Sequence, residues 1–221
     1  MKVILFGASG MVGQGVLRQC LRDDEVTSVL VVGRTSIEKQ HEKLREILLP
    51  DLFKISSIEE QLRGYDACFF CIGVTSAGMK ETDYLHWTYD LTILIAQAVL
   101  KANPELTFVF VSGMGTDSTE KGPAMWARVK GKAENELQRM PLKAAYMFRP
   151  GVIQPLHGIK SKTALYRIPY MLLGPIIPVL LTIFPQYVTT TERIGRAMIN
   201  VARRGWPAPI LESRDINKAS E

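Results

Sequence analysis

Short uninterrupted apolar runs recur along the 221-residue chain, separated by longer segments that mix apolar and polar positions. Strands that are apolar at every position are typically buried on both faces, as in a parallel sheet. The pattern predicts strands at residues 3–6, 29–32, 52–55, 67–72, 107–111 and 144–148, with the third one weak, and a candidate final strand at residues 208–211.

Helices are predicted between these strands, where apolar residues return every three to four positions. Their expected ranges are 11–22, 83–102 and 123–139, with a polar helical segment at 37–49, a last helix between 189 and 204, and a loose polar tail after Leu211. Strands that alternate with helices build βαβ units around a parallel sheet. The chain is therefore predicted to be an α/β protein, a doubly wound parallel sheet of the Rossmann kind with a small C-terminal helical extension.

An uncharged, largely apolar stretch covers residues 168–191. Its length approaches that of a membrane span, but four prolines between residues 169 and 185 make one continuous helix costly. We therefore expect no membrane span, and a buried or oligomer-facing helical hairpin instead. Peripheral contact with a membrane or a lipidic substrate through residues 169–185 stays open, as does the choice between monomer and homodimer.

Composition is that of an ordinary globular protein, with 47% hydrophobic and 22% charged residues, which excludes disordered, collagen-like and coiled-coil classes. The 27 Lys and Arg against 22 Asp and Glu leave a formal charge of +5, too small to predict a nucleic-acid partner. Cys20, Cys68 and Cys71 lie in apolar contexts and are odd in number, so we expect no disulfide scaffold and a cytoplasmic location. The histidines are scattered without metal-ligand spacing, and no metal site is predicted.

The first strand passes into the first helix through Gly7, Gly10 and Gly13, a GxxGxxG pattern. Gly7 would let the chain turn sharply, Gly10 would let a pyrophosphate approach the backbone, and Gly13 would let the helix pack close to the sheet. The free N–H groups and positive dipole end of the helix would then face the phosphates. Because a strand precedes this motif and a helix follows it, the motif predicts a dinucleotide-binding site; the alternative is a tight turn without a ligand.

The end of the second strand carries Gly33 and Arg34 where a ribose-binding carboxylate would favour NAD(H). A guanidinium can pair with the 2′-phosphate of NADP(H), whereas a carboxylate would repel it. We therefore expect NADP(H) to be preferred over NAD(H). The alternative is that Arg34 is an exposed surface charge.

The ordered set of motifs resembles the atypical branch of the short-chain dehydrogenases/reductases, which includes Tat-interacting-protein-like oxidoreductases and NmrA-type NADP-sensing regulators. The matching pieces are residues 7–13, 33–34, 71–76, 111–113, 130 and 148–152. One domain is expected over residues 1–221, with a dinucleotide-binding core at 1–155 and a substrate-side helical segment, final helix and tail at 156–221.

The resemblance implies roles for individual positions. Ser112 would hydrogen-bond the carbonyl of a small-molecule substrate, Lys130 would hold the nicotinamide ribose, residues 72–74 would line the adenosine and ribose, and residues 150–153 would border the nicotinamide. The predicted cofactor-binding residues are Gly7, Ser9, Gly10, Met11, Val12, Gly13, Arg34, Ile72, Gly73, Val74, Lys130, Pro150, Gly151, Val152 and Ile153.

The catalytic Tyr-x-x-x-Lys element of that superfamily is altered, because Trp126 stands at the tyrosine position before Lys130. An indole N–H can donate a hydrogen bond but does not ionise usefully near neutral pH, so Trp126 cannot be the usual general acid/base. The predicted catalytic residues are thus Ser112 and Lys130, with Trp126 at the position of the usual tyrosine. Another group could supply the proton, with Tyr84, Tyr89, His157 or a water as candidates; otherwise the chemistry differs, or the protein binds NADP(H) without turnover.

Two functions follow from these residues. The first is an NADP(H)-dependent oxidoreductase of the atypical short-chain dehydrogenase type, acting on a small carbonyl or hydroxyl compound that the apolar run suggests is hydrophobic. The second is a non-catalytic NADP(H)-binding sensor or regulatory interaction protein. Ser112 and Lys130 favour the first and Trp126 favours the second, since function resides in the site rather than the fold.

Overall fold

A parallel sheet forms the centre of the molecule in the computed structural model, which describes residues 1–159, 184 and 186–221. Its seven strands in the described chain are β1 (Lys2–Phe6), β2 (Ser28–Gly33), β3 (Leu44–Leu48), β4 (Ala67–Phe70), β5 (Thr107–Val111), β6 (Ala144–Arg149) and β9 (Ile210–Glu212). They pair in the order β3-β2-β1-β4-β5-β6-β9, and every pairing is parallel. A second parallel pair joins β7 (Val152–Gln154) to β8 (Val188–Thr190).

Helices cover both faces of this sheet. In the described ranges they are α1 (Met11–Arg22), α2 (Glu81–Leu85), α3 (Leu91–Ala102), α4 (Met125–Arg139), α5 (Thr191–Arg204) and α6 (Ser213–Ala219), and a π-helical turn (His86–Asp90) joins α2 to α3. Alternate residues of β1 enter opposite cores: Val3 and Leu5 pack with α1 and α5, whereas Ile4 and Phe6 pack with α3 and α4. The predicted doubly wound α/β fold is confirmed.

The strand order places a crevice at one edge of the sheet. Strand β1 lies between β2 and β4. From β1 the chain adds β2 and β3 on one side of the sheet and then β4 and the later strands on the other side, so the strand order reverses at β1. Ligands of open α/β sheets bind beyond the carboxyl ends of the strands at such a switch point. The loop after β1, which carries the glycine motif, lies at this position.

Two predictions about residues 37–62 are wrong. The third strand is β3 rather than residues 52–55, and it lies within the segment 37–49 that was predicted to be helical. Residues Leu52–Leu62 form 3₁₀ turns instead, begun by the Asp51 carboxylate, which accepts a hydrogen bond from the Phe53 N–H. The physical reason is the spacing of their buried side chains, Leu52, Ile55, Ile58 and Leu62, which fall on one helical side and pack on the sheet.

The C-terminal tail is also ordered, contrary to the prediction of a loose segment. Helix α6 begins with a capping box between Glu212 and Asp215, and Ile216 and Ala219 are buried in the core beneath α5. The hairpin predicted within residues 168–191 falls outside the described residues except for 184 and 186–191. Every helix in the described ranges is too short or too polar to cross a membrane.

Candidate functional site at the carboxyl edge of the sheet

The glycine loop is held by close backbone packing. Gly7 has φ +82°, and a Cβ there would lie 2.6 Å from the carbonyl carbon of Cys71. A Cβ on Gly13 would overlap the Gly7 carbonyl oxygen. Strand β1, the start of α1 and the end of β4 therefore approach each other more closely than side chains would allow.

Gly10 occupies the N-cap of α1 and is open on its outer side. Its backbone is extended (φ −80°, ψ 166°), and among the described atoms a Cβ would meet only the Gly7 carbonyl oxygen, at 3.4 Å. No acidic residue lies in the first turn of α1. The first N–H groups of a helix have no intrahelical partner and carry the positive end of its dipole. The arrangement can therefore receive a diphosphate at the backbone of residues 10–13.

A cleft of about 480 Å³ lies beside this loop. Its walls include Ser9, Arg18, Glu38, Lys39 and His157. The loop after β2 is fixed by the Glu46 carboxylate, which accepts from the Ser36 hydroxyl at 2.7 Å and from the Ile37 N–H at 2.8 Å. Arg34 is exposed at the end of β2 and stands next to this loop without lining the cleft itself.

Ser112 and Lys130 meet at the end of β5. Lys130 donates a hydrogen bond to the Ser112 carbonyl oxygen, and its Nζ would lie 3.9 Å from a Cβ on Gly113. Burial lowers the pKa of Lys130 to about 8, with Glu134 acting in the opposite direction. Trp126, one helical turn earlier on α4, lays its ring against Gly115. The structure therefore brings the predicted serine and lysine together with the tryptophan beside them.

The Ser112 side chain is engaged by a buried ionic cluster. Its hydroxyl lies 2.5 Å from the Glu134 carboxylate and 3.1 Å from the Phe148 carbonyl oxygen. Glu134 is fully buried and forms a fork-shaped ion pair with Arg149, whose Nε lies 3.1 Å from both carboxylate oxygens. Arg149 also donates to the Ser118 hydroxyl at 2.6 Å.

Glu134 and Arg149 form a buried pair that the sequence pattern does not predict. The sequence spacing gives a partial indication of the acid, because Glu134 lies four residues after Lys130 and thus on the same face of α4. Such a face is expected to contact the sheet, and an acid buried there needs a cationic partner. Arg149 supplies it from the last position of β6.

The predicted nicotinamide border, residues 150–153, is anchored from three sides. The Met114 N–H donates to the Pro150 carbonyl oxygen at 2.9 Å. The Gly151 N–H donates to the Ser213 hydroxyl at 2.8 Å, and the Val152 N–H donates to the Tyr187 carbonyl oxygen at 2.8 Å. The loop after β5, the residue before β8 and the first residue of α6 thus fix this turn. At Gly73, which is predicted to line the adenosine, a Cβ would by contrast meet no described atom within 4 Å.

The alternative proton donors lie in different surroundings. Tyr84 is 2% exposed, and Tyr89 carries the Lys132 ammonium 4.4 Å above its ring centre. Burial raises the pKa of Tyr89, and neighbouring carboxylates add to that shift. His157 forms a 2.6 Å contact with Glu192, which lowers the pKa of that carboxyl group. Their catalytic roles stay predictions.

The cysteines are buried or partly buried, and burial raises the pKa of each thiol above its ordinary value. Protonated thiols are poor nucleophiles and poor metal ligands. Within the described residues no three His, Cys, Asp or Glu side chains come together as a metal site.

Comparison with known proteins agrees with this site. The family described as NAD(P)H-binding matches residues 7–154, which include the glycine loop, the Ser112–Lys130 pair and the turn after β6. The chain belongs to this NAD(P)H-binding family, and within it the chain is an atypical short-chain dehydrogenase/reductase with a Rossmann fold.

Its relatives and structural neighbours are distant. Protein FMP52, mitochondrial, of Meyerozyma guilliermondii is 24% identical over 208 residues, covering 91% of this chain and 85% of that protein. Protein HTATIP2 of Rattus norvegicus is 24% identical over 153 residues, covering 68% of this chain, which spans 62% of the rat protein. A short-chain dehydrogenase/reductase family oxidoreductase from Burkholderia thailandensis superposes with a TM-score of 0.65 at 15% identity, covering 99% of this chain and 92% of that one.

The expected cytoplasmic location is contradicted by these comparisons. Relatives from Meyerozyma guilliermondii, Aspergillus terreus and Debaryomyces hansenii are all named mitochondrial. The expectation rested on cysteine usage alone, and buried thiols do not distinguish one reducing compartment from another.

Proposed function

We propose that the protein binds NADP(H) in preference to NAD(H). Support comes from the charges around the loop after β2, where Arg34 follows the strand and Arg18 and Lys39 line the cleft. Glu38 is the acidic residue among the described cleft walls, so cations outnumber carboxylates where a 2′-phosphate would lie. Guanidinium and ammonium groups bind phosphate through charge-assisted hydrogen bonds.

Calorimetric titration of NADPH and NADH tests this preference. We expect NADPH to bind roughly tenfold or more tightly than NADH. Arg34→Gln and Lys39→Gln should weaken NADPH binding and leave NADH binding nearly unchanged. Arg63→Gln is the matched control, because Arg63 is exposed and paired with Glu60. Equal affinities for both nucleotides in the wild-type protein would contradict the proposal.

We propose further that the protein is an oxidoreductase for a small, apolar carbonyl or hydroxyl compound. The observation that carries this is Lys130, which lies at the end of β5 beside Gly113 with its pKa lowered to about 8. When bound, the nicotinamide would supply the hydride chemistry. Met114, Val152 and Tyr187 support an apolar substrate, because these exposed apolar side chains lie in or beside the turn at residues 150–152.

The proton would come from Lys130 or from a water that it holds. Trp126 does not ionise near neutral pH, and the Ser112 hydroxyl is engaged by Glu134 and the Phe148 carbonyl oxygen. A general acid works best when its pKa lies near the working pH. Lys130 satisfies that condition and lies at the edge where the substrate would meet the cofactor.

A non-catalytic NADP(H) sensor is the second candidate. Two features together favour it: Trp126 stands at the tyrosine position, and the Ser112 hydroxyl is directed to a buried carboxylate, Glu134. Such a site retains the cofactor-binding groups but lacks the Ser–Tyr pair that polarises a carbonyl in related enzymes.

NADPH consumption against a panel of aldehydes, ketones and quinones separates the two candidates. Wild-type turnover that falls in Lys130→Met and stays in Ser112→Ala supports the oxidoreductase with Lys130 as the proton source. An inert wild-type protein whose Trp126→Tyr variant gains activity supports the sensor. Turnover unaffected by Lys130→Met would contradict the role proposed for the lysine.

A further inference from the structure

A second cavity, of about 400 Å³, lies between α1 and α5. Helix α1 contributes Arg18, Gln19 and Arg22 to its wall, and α5 contributes Glu192 and Arg196. The helices approach closely here, because a Cβ on Gly195 would lie 2.8 Å from the Gln19 Cγ. The cavity is therefore a built groove between two packed helices. It shares Arg18 and His157 with the cleft beside the glycine loop, but none of its described walls belongs to that loop or to the end of β5.

Cations dominate this groove. Arg18 and Arg22 lie one turn apart on α1, and within the described residues neither comes within 4.0 Å of a carboxylate oxygen. Arg196 faces them from α5, 3.8 Å from Glu192. Two or three guanidinium groups that share one cavity can bind an anion through several charge-assisted hydrogen bonds at once.

The carboxylates in the groove already have partners. Glu192 is bound to His157 at 2.6 Å. Asp23 accepts hydrogen bonds from the Glu25 and Val26 N–H groups, at 2.9 Å and 3.3 Å. Among the described residues, three arginines against two engaged carboxylates leave the groove with a positive excess.

Gln19 provides a second and independent sign of a ligand. The residue is 8% exposed, and among the described groups its side-chain Nε2 has no hydrogen-bond partner. A buried donor without an acceptor is costly and uncommon in folded proteins. An acceptor atom of a ligand lodged between the arginines would complete its hydrogen bonding.

We propose that the groove between α1 and α5 binds the phosphate group of a ligand other than the nicotinamide cofactor. Arg18, Arg22, Arg196 and the Gln19 amide together offer more donors than the two oxygens of a carboxylate can accept. The three terminal oxygens and double charge of a phosphate monoester match them better. The phosphate could belong to a free phosphate ester or to a lipid headgroup, and both present the same chemistry.

Calorimetric titration of glycerol 3-phosphate into the full chain, saturated with NADPH, tests the site. We expect binding that weakens about tenfold or more in Arg22→Gln, because Arg22 lines this groove and not the cleft beside the glycine loop. Arg193→Gln is the matched control, since Arg193 lies on α5 and does not line the groove. It should bind as the wild type does.

The variant Gln19→Met distinguishes a loss of ligand binding from a loss of protein stability. Methionine keeps the length of the side chain and removes the unpaired donor, so we expect an unchanged or higher melting temperature together with weaker glycerol 3-phosphate binding. Co-sedimentation with phosphatidylcholine vesicles containing phosphatidic acid then assigns the source. Retention that is lost in Arg22→Gln identifies a lipid headgroup, and binding in solution without retention identifies a free ester.

The proposal is overturned if the NADPH-saturated protein binds neither glycerol 3-phosphate nor the vesicles. It is also overturned if Arg22→Gln and Arg193→Gln bind alike, or if saturation with NADPH abolishes binding that the free protein shows. The last result would place the anion in the cofactor cleft.

Discussion

Replacing Glu134 by glutamine removes one negative charge from the centre of the buried cluster behind the proposed site. Glu134 is fully buried, contacts Ser112 at 2.5 Å and accepts from the Arg149 Nε through both of its oxygens. A glutamine of the same shape would place an NH₂ group where one oxygen now accepts. The Arg149 guanidinium, whose side chain is 11% exposed, would then lack its main counter-charge.

The size of the effect follows from these contacts. Removing one partner of a buried ion pair costs about 3–5 kcal/mol, because the remaining charge stays buried. Arg149 keeps a weaker contact with Glu212 at 3.7 Å, which offsets part of the loss. We therefore expect the free energy of unfolding to fall by about 3 kcal/mol, which corresponds to a drop of about 6–12 °C in melting temperature for a chain of this length.

Urea unfolding followed by far-UV circular dichroism at pH 7 measures the change. Glu136→Gln is the control, because Glu136 lies on the same helix but pairs with Arg139 at the surface, at 3.5 Å. It should lose less than about 0.5 kcal/mol. The double variant Glu134→Gln/Arg149→Met should be more stable than the two single losses predict when they are added. A loss below about 1 kcal/mol for Glu134→Gln would show that the cluster does not hold the end of β5.

Three other substitutions, with Gly73→Ala as a control, test the glycine loop, the packing at the amino ends of β4 and β5, and Lys130. Gly13→Ala should lower the free energy of unfolding by about 3 kcal/mol in urea titrations, because its Cβ would overlap the Gly7 carbonyl oxygen, whereas Gly73→Ala, with open space around it, should change it little. Asn103→Ala should cost about 2–3 kcal/mol by the same measurement, because the buried Asn103 side chain donates to two carbonyl oxygens and accepts from one N–H. Lys130 has a folded pKa of about 8 against an ordinary value of 10.5, so the unfolded chain holds more protons between these values and this lysine makes stability rise with pH across that window. Melting curves of Lys130→Met should therefore show a smaller rise from pH 8 to 10.5 than the wild type, and an equal rise would contradict the lowered pKa.

The parts of the fold that sequence predicted correctly are those with a strong local pattern. Strands β1, β2, β4, β5 and β6 are apolar at nearly every position, because they are covered on both faces. Strand β3 lacks such an apolar run, because it pairs with β2 on one side only and its residues are half-buried or exposed. An edge strand of this kind mixes polar and apolar residues, and its sequence resembles that of an amphipathic helix.

In the candidate site, too, the parts that are local in sequence were predictable and the contacts between distant residues were not. The glycine loop is contiguous in sequence, so its three glycines and the helix that follows could be placed together. The Glu134–Arg149 pair joins a helix to a strand 15 residues further on, and the groove between α1 and α5 joins residues of the two helices that are 170 or more positions apart. Contacts of this kind depend on packing, and single-sequence patterns do not specify which distant side chains meet.

The central claim, a nucleotide site built on the N-terminus of α1, is tested most directly by NADPH titration of Gly10→Ala. Alanine fits the backbone, because φ is −80° and the new Cβ would lie 3.4 Å from its nearest neighbour, so stability should change by no more than about 1 kcal/mol. The added methyl group would stand where the pyrophosphate approaches, and NADPH affinity should fall about tenfold or more. A stable Gly10→Ala variant that binds NADPH as tightly as the wild type would contradict the account.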